Sequence, residues 1–66
     1  MKVKIADLKA VVKWMEENSR DVMCNIREID RGMQITCMDK YAIYVEMKIS
    51  EEGTMGPKIV KEENLP

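Results

Sequence analysis

Tyr41-Ala42-Ile43-Tyr44-Val45-Glu46-Met47-Lys48-Ile49 sets apolar residues at 41, 43, 45, 47 and 49, strictly alternating with Ala42, Tyr44, Glu46 and Lys48. A period of two is the pattern of a strand with one buried face. Ile43, Val45 and Ile49 are β-branched, which suits a pleated core surface. Every other element is read relative to this strand.

On its N-terminal side, Asp39-Lys40 supplies a turn, and Met33, Ile35 and Cys37 form the apolar face of a preceding strand. Asp30-Arg31-Gly32 is a second turn, where Gly32 is expected to supply a positive φ. Before it, Val22, Cys24 and Ile26 alternate with Met23, Asn25 and Arg27 as a further strand. Matching the two apolar faces pairs Ile26 with Ile35 and Cys24 with Cys37, leaving a loop from Ile29 to Gly32.

Leu8, Val11, Val12 and Met15 follow the i, i+3, i+4, i+7 spacing of an amphipathic helix over about 8–18, with Asp7 suited to its N-cap. Lys9, Lys13, Glu16 and Glu17 take its outer face. Lys2-Val3-Lys4-Ile5 alternates and reads as a first strand. The expected fold is α+β, in the order βαβββ, with one helix on one face of a mainly antiparallel four-stranded sheet. Residues 1–49 form the domain, with Leu8, Val11, Val12 and Met15 buried against Val3, Ile5, Ile26, Ile35, Ile43 and Val45. Residues 50–66, with Gly53, Gly56 and Pro57, read as a flexible or edge-strand tail.

At 66 residues a chain buries only about 60% of the surface its unfolded form exposes. Self-association is therefore one expected source of stability. Eleven basic and twelve acidic side chains nearly cancel, to a net charge of -1. Such a balance does not favour a nucleic-acid partner. The absence of histidine excludes His-based triads and most zinc sites. Cys24 and Cys37 read as small buried hydrophobes, reduced in the cell. No residue pattern indicates catalysis, a cofactor or a metal, so the expectation is a non-enzymatic protein. Charges interrupt each short apolar run near Met1, so neither a membrane span nor a leader is expected, and the expected location is the cytoplasm.

One sheet face has no helix to cover it. Met23, Arg27, Met38 and Tyr44 are expected to lie exposed there, mixing residue types that are enriched at protein interfaces.

Gly32-Met33-Gln34-Ile35-Thr36-Cys37-Met38-Asp39, followed by Ile43 to Ile49, resembles one repeat of the DNA sliding clamps. The resemblance spans residues 1–49, including the opening strand and helix. It implies a helix turned toward DNA, for which Lys9, Lys13 and Arg20 are the candidates. A lone repeat would also keep unpaired sheet edges, able to dimerise or extend another protein's sheet. The functional expectation is an adaptor or an inhibitor, of a phage type, acting on nucleic-acid machinery. It would bind a protein partner or a second copy as a homodimer, through the open sheet face or edge. The alternatives are a DNA-associated oligomer and a small oligomeric enzyme with an intersubunit site.

Overall fold

In a computed structural model, which describes residues 1–60, the alternating segment becomes strand β3 (Tyr44–Ser50) of a four-stranded sheet. The other elements are α1 (Ile5–Asn18), β1 (Asn25–Ile29), β2 (Gly32–Met38) and β4 (Gly53–Ile59). All neighbouring strands are antiparallel, in the order β1-β2-β3-β4. The helix packs on one face, which makes the fold α+β as expected.

The element order differs from βαβββ. Residues 1–4 form no strand, and the fourth strand comes from the C-terminal side instead. Four alternating residues have too little length to hold a ladder alone. Val3 still packs against the core, while Ile5 opens the helix and is exposed. β4 arises where Glu51-Glu52 turns the chain and Gly53 takes a φ of 130°. Its Gly56 and Pro57 sit at a register shift opposite Glu46 to Lys48, a break that an edge strand tolerates. Of the two readings of this segment, flexible tail or edge strand, the edge strand holds through Ile59, and residues 61–66 lie outside the described residues.

The expected register holds, with Ile26 opposite Ile35. The hairpin is tighter than expected, because Ile29 also pairs with Gly32. Arg31, at φ 60°, takes the left-handed conformation that was expected of Gly32. Gly32 is needed for another reason: a Cβ there would overlap the Ile49 carbonyl oxygen. β3 begins later than expected. Asp39 Oδ1 accepts hydrogen bonds from the Tyr41 and Ile43 N–H groups at 2.8 and 2.9 Å, which holds that stretch in a turn.

Val11, Ile35, Cys37, Val45, Met47 and Ile49 are buried, with Val3, Trp14, Met15, Cys24 and Met33 packed against them. The helix starts one turn earlier than expected, so Asp7 lies within its first turn and Lys4 precedes it without a side-chain cap. Ile5, Leu8, Val12, Ile26 and Ile43, all expected in the core, are exposed. Ile43 sits in the turn held by Asp39, before β3, while the exposure of the other four follows from width. Four strands at about 4.8 Å span roughly 19 Å, whereas one helix covers about 10 Å. α1 lies over β3 and β4, so the flank of the helix facing β1 overhangs an uncovered strand.

Candidate interaction surface

The segment joining helix to sheet is fastened to the end of β2. Ser19 Oγ donates to the Met38 carbonyl at 2.8 Å, Arg20 N–H donates to the same oxygen at 3.2 Å, and Lys40 N–H donates to the Asn18 carbonyl at 2.8 Å. Asp21 accepts from the Met38 N–H at 3.3 Å. These bonds fix where Val22-Met23-Cys24 enters β1. The segment then lines an open groove of about 330 Å³ with Val12 and Met15 of the helix.

This groove is open and mainly apolar, with Glu16, Ser19 and Asp21 also on its lining. Val22 is 100% exposed, Met23 79% and Ile26 64%. Ile26 stands on the helix side of β1, since it pairs with the buried Ile35, and it continues the floor begun by Cys24. Val12 and Met15 supply the helix wall, and the exposed Leu8 lies one turn before Val12 on the same flank. The outer rim of this surface is the free backbone edge of β1.

The two sheet edges are not alike. β4 carries Pro57, which has no N–H to donate, Lys58, and the register shift opposite Glu46 to Lys48. Such features obstruct further strand pairing. β1 reads Asn25-Ile26-Arg27-Glu28-Ile29, with neither proline nor glycine, and its pairing with β2 is unbroken.

The open sheet face is mostly polar. Gln34 donates to the Glu46 carboxylate, and Arg27, Thr36 and Lys48 share that side. Of the residues expected to meet there, Met38 and Tyr44 form a directly opposed pair. Arg27 faces Gln34 on the edge strand, four residues along β2 from Met38. Met23 departs from the expectation: it precedes β1, outside the ladder, and lines the groove on the helix side. Sequence reasoning missed Val12, Val22 and Ile26 as surface residues. The adjacent apolar pair Val22-Met23, after the charged Asp21, was the available signal.

Lys9 and Lys13 fall one turn apart on the exposed side of α1, with Glu16 and Glu17 in the next turn, and Arg20 is exposed beyond its end. Cys24 and Cys37 are free thiols. Burial pushes the Cys37 thiol above its ordinary pKa, with the Ser19 hydroxyl opposing and the charges of Asp21 and Asp39 reinforcing the shift. A thiol so placed is a poor nucleophile. Among the described residues no cluster of three or more His, Cys, Asp or Glu side chains could hold a metal ion, and no helix is long and apolar enough to cross a membrane.

Compared with protein-family models, curated proteins and solved structures, the chain matches none.

Proposed function

We propose that this chain is a non-enzymatic protein-interaction module, an adaptor or inhibitor, whose contact surface is the β1 edge with the groove between β1 and α1. The observation that carries the reading is the exposure of Val22, Met23 and Ile26 beside an unobstructed strand edge. Apolar side chains clustered next to free backbone donors and acceptors suit an added strand or packed side chains from another polypeptide. The mixed open face, with its own Gln34–Glu46 bond, offers less apolar area. The sliding-clamp resemblance suggests nucleic-acid machinery as the setting of that partner, and the cytoplasm remains the proposed location.

The test is affinity capture from the native source with three forms of the chain. Val12→Lys combined with Ile26→Lys is expected to lose the captured protein, while Met38→Ala combined with Tyr44→Ala keeps it. The opposite pattern would move the interface to the open face.

A further inference from the structure

The geometry points to a second copy of this chain as an occupant of that edge: β1 pairs antiparallel with β1 of the copy about a two-fold axis at Ile26. The inference rests on the interaction surface proposed above and adds the identity and register of its partner.

The sheet offers two edges, and their difference decides which of them can meet. Pairing β1 with β4 of the next copy is head-to-tail, giving a ring or a filament in place of a dimer, and Pro57 with the register shift obstructs it. β1 with β1 is the isologous pairing that closes as a dimer and leaves β4 outside. Among the described residues, six buried apolar residues against twelve large apolar residues left exposed show how little core one copy holds. Small domains with so thin a core gain from association.

The side chains of β1 then choose the register. In an antiparallel pair related by a two-fold axis normal to the sheet, the central residue opposes its own copy and both helices lie on the same face. An axis at Arg27 would set two guanidinium groups against each other, and an axis at Glu28 two carboxylates. An axis at Ile29 would oppose Arg27 with Arg31 and Glu28 with Asp30. With the axis at Asn25, Ile26 to Ile29 would oppose Cys24 to Asp21, which lie outside β1. The axis at Ile26 sets Ile26 on Ile26 and Asn25 opposite Arg27 within β1, with Cys24 opposite Glu28 just beyond. The exposed Ile26 side chains then meet each other, and no like charges are opposed. Cross-strand pairs of these kinds stabilise, and like charges destabilise.

Sedimentation and oxidative cross-linking of the full chain test this. The chain is expected to sediment at the mass of two copies. Ile26→Lys, at an exposed position, should keep its circular dichroism spectrum while weakening the dimer by about 100-fold or more. In a Cys24→Ser background, Ile26→Cys should form a covalent dimer, because directly opposed residues stand within disulfide reach. Asn25→Cys and Arg27→Cys in the same background should not. A monomer at all accessible concentrations overturns the inference, as does cross-linking at 25 or 27 in place of 26. If the chain is monomeric but the groove variant still loses its captured partner, self-pairing fails while the interaction surface stands. A dimer that Ile26→Lys leaves intact overturns the self-pairing, and the interaction surface falls with it only if the groove variant also keeps its captured partner.

Discussion

Over β3 and β4, α1 packs Val11 and Trp14 on the core and bounds a smaller open cleft of about 130 Å³ with Met47 and the Thr54 to Pro57 stretch, and the strand beyond ends its edge in proline and a register shift. Over β1 the same helix leaves Val12 and Leu8 overhanging a bare Ile26, beside an edge with no such obstruction. Both flanks of that face keep an exposed isoleucine, Ile59 on β4 and Ile26 on β1, but only the β1 edge lacks the proline and the register shift. The same residue types stabilise the fold where covered and are available for contact where not. Val45 at 5% exposure and Ile26 at 64% share a face but not a role.

The largest expected effect tests that contrast. Val45→Asp places an unpaired carboxylate in the core at a cost of several kcal/mol, a large share of the stability of a domain this small, and should unfold the chain. Ile26→Asp, two strands away on the same face, should leave the fold intact by circular dichroism. Unfolding of the second variant would erase the distinction between the halves.

Gly32→Ala comes next. Gly32 pairs with Ile29 on one side and Ser50 on the other, and an added methyl group meets the Ile49 backbone, which has no freedom to rotate away. A loss of about 2–3 kcal/mol in urea unfolding is expected. This strain falls on the strand joining the two halves, so it should weaken both.

The two flanks of the helix can be compared directly in the Ile26→Lys background, where association adds nothing to the measured stability. Trp14→Ala, on the β4 side, should cost about 2 kcal/mol, less than a wholly buried aromatic. Val12→Ala, on the β1 side at 42% exposure, should cost less than about 1 kcal/mol. Equal costs would mean that α1 is buried symmetrically.

This asymmetry marks the limit of what the sequence discloses. β2 and β3 were legible because Met33 to Cys37 and Val45 to Ile49 alternate strictly and are paired on both sides, so a slip would turn every side chain over. Lys2 to Ile5 alternates as well, but local pattern does not supply a partner strand, and the residues around Ile5 have enough helical preference to extend α1 instead. β4 was obscured by Gly53, Gly56 and Pro57, whose composition reads as linker although an edge position accepts it. The groove was illegible for a different reason. Leu8, Val12 and Ile26 have core character, and only the placement of α1 over β3 and β4 leaves them uncovered. Trp14, three residues from Val11, belonged to the buried stripe and was overlooked beside the more regular aliphatic spacing.

A smaller effect concerns Cys37, on the covered face. Because burial raises its folded pKa, the unfolded chain loses the thiol proton first as pH rises. Unfolding then releases a proton, so this contribution to stability is fully present below the ordinary thiol pKa and is lost as pH rises through the folded one. Urea unfolding midpoints should therefore fall between neutral and alkaline pH more steeply in the wild type than in Cys37→Ala. Parallel profiles would show that Cys37 titrates as freely as a thiol in water.

The smallest effect is expected on the face without a helix, from Met38→Ala combined with Tyr44→Ala. The two residues oppose each other at one end of the β2–β3 ladder, and Tyr44 is 41% exposed. A cross-strand pair of this kind contributes roughly 0.2–1 kcal/mol. The backbone bond from the Val60 N–H to the Tyr44 carbonyl, 3.0 Å long, does not depend on either side chain. The Met38 carbonyl likewise keeps its bonds to Ser19 and Arg20, so the loop leading to the groove should stay in place. The double variant should lose less than about 1 kcal/mol, and its sedimentation should match that of the unaltered chain. Loss of self-association here, with the Ile26→Lys dimer intact, would place the contact on the polar face and reverse the assignment of the two sides.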